Sequence, residues 1–376
     1  MFLSLSQFGL AFSINCLMSF LPFYIIKISN FSPQVTMIWI GLILGGSSLA
    51  AALSAPFWGS MTSRFRPKAL YEKAFLCHGI TFLLMGFTSN LYLLLLLRII
   101  QGTFGGASTI GLFMITQSSA DGRLRKDLSL FQNSMTAGQL AGPPIGAYAA
   151  AGFGYQSPFI LAFLLVGISL VLCHTYIRDI PNKGMIGDQG ISWNRKLLLG
   201  WALSLISTIH LTSLPSILPH ILEGFNLVEE AALSSSGWII MAYTAAAIVG
   251  NYVTCNMSDK IETKRLIALV CISAAVFQIL LIFSNGVYSF AAIRMAQMGL
   301  IAAVPPLLIS LLASDVGGTA LGFLNSARFA GNAIGPLMAT SIMAYSNLLT
   351  LYLVIAIATV GSSLPLLTRR RNIETR

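Results

Sequence analysis

The chain has 376 residues, of which 56% are hydrophobic and only 9% are charged, and it carries a formal net charge of +10. A soluble domain carries about a quarter charged residues, so water is excluded as the solvent for most of this surface. The basic excess would suit a nucleic-acid partner only if it gathered on one face, and its distribution along the chain assigns it elsewhere.

The apolar residues fall into blocks of about 20, the length that crosses ~30 Å of hydrocarbon at a helical rise of ~1.5 Å per residue. Uninterrupted runs such as Leu91 to Ile115 exclude the short alternating strands of a membrane barrel. The pattern predicts an all-α membrane protein with twelve transmembrane helices. In chain order they lie near Phe2–Ile26, Ile38–Trp58, Tyr71–Thr88, Leu91–Ile115, Leu128–Ala151 and Pro158–Ile177, then near Leu197–Leu222, Ser235–Cys255, Leu266–Phe283, Ser289–Leu312, Ala320–Ala344 and Asn347–Leu367. The first block is longer than a signal-peptide core and has no Ala-x-Ala cleavage site, so it reads as an uncleaved span.

Lys and Arg cluster in alternate turns. Arg64, Arg66, Lys68 and Lys73 follow span 2; Arg123, Arg125 and Lys126 follow span 4; Lys260, Lys264 and Arg265 follow span 8. Arg178, Lys183, Arg195 and Lys196 lie between spans 6 and 7, and Arg369, Arg370, Arg371 and Arg376 close the chain. Lys27 alone lies at the other side, while Arg98, Arg294 and Arg328 fall within spans. The positive-inside rule then places both termini in the cytoplasm of a cell whose cytoplasmic (inner) membrane the chain crosses repeatedly. The charge is a topology signal and no nucleic-acid partner is expected.

The longest polar interruption contains Pro181, Gly184, Gly187 and Gly190 and reads as a cytoplasmic linker. It divides the chain into an N-terminal six-helix half over 1–177, a linker over 178–196 and a C-terminal six-helix half over 197–376. The halves repeat one another. Arg98-x-x-Gln101 recurs as Arg294-x-x-Gln297, Phe131-x-Asn133-Ser134 as Phe323-x-Asn325-Ser326, and Gly138-x-x-x-Gly142-Pro143 as Gly331-x-x-x-Gly335-Pro336, at offsets of 196, 192 and 193. Six-span repeats are a plan of many secondary transporters.

The sequence around the turn after span 2, Gly59-Ser60-Met61-Thr62-Ser63-Arg64-Phe65-Arg66-Pro67-Lys68, resembles the Gly-x-x-x-Asp-Arg-x-Gly-Arg-Arg signature of the major facilitator superfamily. It keeps Gly59, Arg64 and Lys68, but Ser63 stands at the acidic position and Arg66 at the second glycine. The resemblance implies a gating turn on the cytoplasmic side, here without its carboxylate; the second-half counterpart, Gly250 followed by Asp259 and Lys260, keeps an acid. Gly138-Gln139-Leu140-Ala141-Gly142-Pro143-Pro144-Ile145-Gly146-Ala147 is similar to the antiporter motif of that superfamily with its last glycine replaced by Ala147. Physically, Gly138, Gly142 and Gly146 form a bare stripe that admits a neighbouring helix, and Pro143 and Pro144 remove two backbone donors. The bland reading of this stripe is a packing seam. Arg98-Ile99-Ile100-Gln101-Gly102 matches the superfamily's Arg-x-x-x-Gly pattern, and the whole resembles its bacterial drug and metabolite exporters of the drug:proton antiporter type.

An arginine inside a span costs about 2.5–3.5 kcal/mol on insertion scales and must face protein or water. Arg98 and Arg294 hold equivalent places, and Arg328 is a third cation in a span. Arg98 either binds carbonyls of span 1 as a brace or supplies charge to substrate. None of the twelve acids falls in mid-membrane, and span 1 offers Ser13, Asn15 and Ser19 where exporters of cationic drugs commonly place a carboxylate. The candidate substrate-binding and coupling residues are Asn15, Arg98, Gln101, His210, Arg294, Gln297 and Arg328, with His210 the first candidate to carry a coupling proton and His78 the second. Ser204, Ser207 and Thr208 share the polar face of His210. The five cysteines lack metal or CxxC spacing, and no nucleophile with its base and no P-loop lysine is present, so no cofactor, metal or enzymatic activity is expected.

The expectation is therefore a secondary transporter, monomeric and embedded in lipid, that moves a small organic solute by alternating access at a site formed by spans 1, 4, 7 and 10. An efflux permease driven by an ion gradient, with protons as the candidate ion, is the leading reading. The alternatives are an importer or facilitator of an anionic metabolite such as a carboxylate or siderophore, and a non-transporting membrane receptor on the same fold. With buried cations and no buried anion, the cargo is expected to be anionic, zwitterionic or neutral.

Overall fold

The computed structural model describes residues 1–61, 64–119, 123–177, 195–312 and 318–367, so Ser63, most of the linker and the terminal arginines lie outside the described residues. Among the described residues, fourteen α-helices and one short 3-10 turn account for the twelve expected spans. The first half holds α1 (Phe2–Ile28), α2 (Pro33–Met61), α3 (Pro67–Phe87), α4 (Leu91–Thr103), α5 (Ala107–Ser118), α6 (Leu124–Phe153) and α7 (Ser157–Tyr176). The second holds α8 (Arg195–Gly224), α9 (Glu229–Met257), α10 (Thr263–Leu280), α11 (Val287–Ile301), α12 (Val304–Leu312), α13 (Gly318–Tyr345) and α14 (Leu348–Leu367).

Two spans differ from the expected continuous helices, and they are the equivalent ones. Span 4 breaks into α4 and α5 at Phe104–Gly106, and span 10 breaks into α11 and α12 at Ala302–Ala303. At the first break Trp58 donates its indole N–H to the Thr103 carbonyl at 2.5 Å and sits 5.5 Å from Phe104, which pairs a backbone group freed by the interruption. The second is followed by Pro305 and Pro306 in the first turn of α12, where a proline costs no hydrogen bond.

Nine of the described helical segments are long and apolar enough to cross a membrane. The other three spans, α3, α6 and α13, are 21, 30 and 28 residues long but more polar. Large apolar side chains on the outer faces have no protein cover, as bilayer solvent requires: Leu76, Ile80, Leu84 and Phe87 run down α3, and Ile160, Leu164, Ile168 and Val171 run down α7.

The chain resolves into two compact units, one of Met1–Gly187, Ser213–Met241 and Asn332–Ala344, the other of Asp188–Thr212, Ala242–Gly331 and Tyr345–Arg376. In the first unit α1 packs along α6 and α7, α3 along α7, and α2 along α4. Phe20 meets Phe159 edge-on at 5.1 Å, and the Tyr24 hydroxyl donates to the Thr88 carbonyl at 2.6 Å. In the second unit α10 packs on α14, α11 and α12.

Candidate functional site

Within the first unit, the antiporter-like stripe is a backbone-to-backbone seam. A Cβ on Gly138 would lie 2.6 Å from the Phe8 carbonyl oxygen, and one on Gly142 would lie 2.7 Å from that of Phe12; one on Gly146 would strike Cys16. No side chain fits between α6 and α1, so the stripe holds helices together and leaves no room for a solute. The Ser19 hydroxyl of α1 reinforces the seam by donating to the Pro143 carbonyl at 2.8 Å. Beside this seam α6 and α1 both receive α9: a Cβ on Gly237 would lie 2.7 Å from Ala147 Cβ and 2.8 Å from the Pro143 carbonyl, and the Ser236 hydroxyl donates to the Ser19 carbonyl at 2.9 Å. Gly41 and Gly45 of α2 accept α13 in the same way, around Pro336 and Leu337, with Gly335 buried beside them. In the second unit Gly331 presses on Thr208, and Gly250 on Gly299.

Near the end of the first unit that carries the degenerate signature, Lys68 donates to the His174 carbonyl at the C-terminus of α7 (2.9 Å) and pairs with Glu72 at 3.8 Å. Glu72 also faces His174 at 3.3 Å, so Lys68 ties α3 to α7. Arg64 and Asp259 are exposed, in the turns after α2 and α9. Gly59 lies in the last turns of α2. At the opposite end Tyr155 donates to Glu229 at 2.6 Å, with Lys27 3.8 Å from that carboxylate and over the Tyr155 ring at 4.8 Å. Burial and the facing Glu229 carboxylate hold the Tyr155 phenol above its usual range.

Arg98 and Arg294 are 1% and 2% exposed, and among the described residues no carboxylate is buried with them. Each donates through Nη1 to the glutamine one turn on, Arg98 to Gln101 and Arg294 to Gln297, both at 2.6 Å. The repeat thus extends to side-chain geometry. Beyond that shared bond the two sites diverge.

In the second unit Arg294 also donates to the His210 carbonyl and stands over the Tyr243 ring at 5.3 Å. Gln297 turns its amide N–H groups to His210 Nδ1 at 3.1 Å and to Gln278, and His210 Nε2 meets the Thr359 hydroxyl at 2.8 Å. The neighbouring Ser207 hydroxyl donates to the Ile301 carbonyl at 2.8 Å and Thr208 to the Ser204 carbonyl at 2.9 Å. His210, Ser204, Ser207 and Thr208 are all buried; Ser207 and His210 bond to other helices, and Thr208 bonds within α8. Tyr243, Gln278 and Thr359 were not among the expected residues; a lone amide in the apolar run of α10 was the available signal for Gln278.

In the first unit Arg98 Nε donates to the Ile43 carbonyl of α2 at 3.2 Å, so its backbone partner is span 2 and not the expected span 1. Arg98 Nη2 and Gln101 Nε2 are buried without a partner. Asn15 spends its amide on the Ala11 carbonyl of its own helix at 2.8 Å. Arg328, a cation whose depth in span 11 the sequence leaves open, is exposed on α13, and the Asn325 side chain lies outside the described ones. His78 is buried on α3 with Nδ1 2.8 Å from the Ala74 carbonyl.

A bundle of apolar helices with an internal repeat, two broken spans and paired internal arginines defines a polytopic membrane transporter. The chain belongs to the Major Facilitator Superfamily, whose sequence profile matches residues 3–199 and again 197–375. Multidrug resistance protein MdtG of Yersinia enterocolitica is 26% identical over 391 residues, which cover 98% of this chain and 94% of that protein. The uncharacterized MFS-type transporter YuxJ of Bacillus subtilis is 26% identical over 360 residues, 89% and 88% of the two chains. Among solved structures, the nucleoside transporter NupG superposes with a TM-score of 0.78 at 13% identity over 97% of this chain and 98% of its own. A D-xylose-proton symporter follows at 0.76 and 16% identity over 97% and 96%. At these identities the superpositions establish the fold.

Proposed function

We propose that this transporter is an efflux permease of the cytoplasmic (inner) membrane, acting as a monomer, that exports a small organic solute by alternating access of its two six-helix halves in exchange for an ion. The relatives named as multidrug resistance proteins support export, and the basic turns support cytoplasmic termini. The observation that carries the substrate class is the pair of unpartnered donors, Arg98 Nη2 and Gln101 Nε2, with no buried carboxylate near them among the described residues. Donors without acceptors in a low-dielectric setting favour a solute that brings a carboxylate, phosphonate or other acceptor oxygen, and disfavour a bare cation. His210 belongs in this reading to the brace around Arg294, and ion coupling falls to the substrate-loaded Arg98 site.

Thermal stabilisation of the purified protein by organic anions, zwitterions and lipophilic cations tests this, in parallel with Arg98→Ala. Stabilisation by anions in the wild type and not in the variant is expected. Stabilisation by lipophilic cations that survives Arg98→Ala overturns the substrate class. Uptake of the stabilising anion by inside-out vesicles under an ion gradient tests the direction, and uptake only by right-side-out vesicles overturns export.

A further inference from the structure

The exposed stripe of α3 begins at its basic end with Lys73 and continues through Leu76, Ile80, Leu84 and Phe87, spaced by three, four, four and three residues on one helix face. The ammonium group therefore emerges from the lipid-facing side of the bundle, not from its end. Lys68, five residues earlier, is engaged by Glu72 and the His174 carbonyl, whereas among the described residues no acid pairs with Lys73. A lysine on a lipid-facing stripe extends its stem along the apolar surface and presents its charge at the headgroup level.

Lys73 also stands on a ridge between two lateral grooves. One, of about 640 Å³, runs between α2 and the start of α3 with Phe57, Trp58, Leu70, Arg66 and Lys73 in its walls, and ends at the break in span 4 beside Phe104. The other, of about 430 Å³, runs between α3 and the last turns of α7 with Leu76, Leu170, Val171, Glu72 and Lys73 in its walls. Ala69 and Lys73 belong to both, so the ridge is low and has a cation at its crest.

We infer that this face of α3 is a binding site for one anionic diacyl phospholipid, which straddles the helix with its phosphate on Lys73 and one acyl chain in each groove. Charge complementarity selects the acidic headgroup: Lys73 has no acidic partner among the described residues, and Glu72, the one carboxylate among the described lining residues, faces Lys68 and His174. The inference does not depend on which solute is carried or in which direction.

Native mass spectrometry of the detergent-purified full chain, loaded with equal amounts of phosphatidylglycerol and phosphatidylethanolamine, reads the site directly. One lysine near an anionic surface contributes enough for about a fivefold preference for the acidic lipid. The wild type and Lys73→Arg should show it, Lys73→Gln should lose it, and Lys264→Gln, at the start of α10, should keep it. Ala69→Leu, which raises the ridge, should lower retention of both lipids. Equal retention of the two lipids by the wild type, an unchanged preference in Lys73→Gln, or an equal loss in Lys264→Gln overturns the inference.

Discussion

Thr359 sets the tautomer of His210. The single hydroxyl proton of Thr359 goes to the Ile355 carbonyl at 2.6 Å, so its oxygen must accept the His210 Nε2–H at 2.8 Å. His210 Nδ1 is then the lone pair that receives the Gln297 amide, whose own oxygen is taken by Arg294. One hydroxyl on α14 thereby fixes the direction of every hydrogen bond through His210 and Gln297 to the buried cation.

Removing that acceptor is expected to destabilise the protein modestly. Hydrogen bonds between membrane helices average about 0.6 kcal/mol and reach about 1.7 kcal/mol. Thr359→Val should fall at the upper end, because it leaves an N–H buried, and Thr359→Ser should be near neutral. Thermal unfolding in detergent measures both, and nitrogen-15 spectra of labelled histidine should show the Nε2–H tautomer at His210 in the wild type. A Thr359→Val protein as stable as the wild type would remove the directional argument.

The two arginines should answer differently to loss of charge. Arg294 makes a side-chain bond, a bond to the His210 carbonyl and a contact with Tyr243 and leaves Nε open, whereas Arg98 makes one bond to Gln101 and one to Ile43 and leaves Nη2 open beside the equally open Gln101 Nε2. Arg294→Met is expected to lower the melting temperature more than Arg98→Met, since bonds to a charged group contribute about 1.5–3 kcal/mol each. Arg98→Met should instead abolish ligand-induced stabilisation with the smaller loss of intrinsic stability. Differential scanning fluorimetry with and without ligand separates the two effects.

The glycine seams make a prediction with a built-in control. In Gly142→Ala the new methyl meets α1 backbone at 2.7 Å, which no rotamer change relieves, so a cost of about 1–3 kcal/mol is expected. Gly167→Ala, on α7, meets nothing within 4 Å and should stabilise, by up to about 1 kcal/mol, through helix propensity. Unfolding midpoints of the two variants should therefore move in opposite directions.

Ala147 and Gly237 form a reciprocal pair, the methyl on α6 filling the space that glycine leaves on α9. Gly237→Ala should destabilise the α6–α9 contact, and adding Ala147→Gly should restore part of the loss. The recovery is incomplete because the Pro143 carbonyl lies 2.8 Å from the same position. A double-mutant cycle should return a coupling of about 0.5–3 kcal/mol, and strict additivity would show that the two side chains do not share the space.

The twelve spans were legible because lipid leaves no other use for blocks of apolar residues, and the observed helices start and stop within a few residues of the expected places. The matched marks in the two halves announced the paired Arg–Gln geometry. The break at Ala302–Ala303 was not read, although Pro305 and Pro306 were its signal, and Gly105–Gly106 were passed over as part of one helix. The partners of Arg98 and Arg294 were hidden for a physical reason. Ile43 acts through a carbonyl that every residue has, and Tyr243 and Thr359 are brought to the site from other helices. The replacement of the last motif glycine by Ala147 read as a simple departure, because its compensation, Gly237, stands 90 residues away.

The seam between α1 and α6 has a mechanical consequence. Where a methyl group does not fit between two backbones, the helices can neither slide nor rotate past one another without separating along their length. The pair must travel as one stiff beam, able to transmit displacement but not absorb it. Bending has to be taken up elsewhere, and the interruptions in spans 4 and 10 are places where the regular helical ladder is already broken.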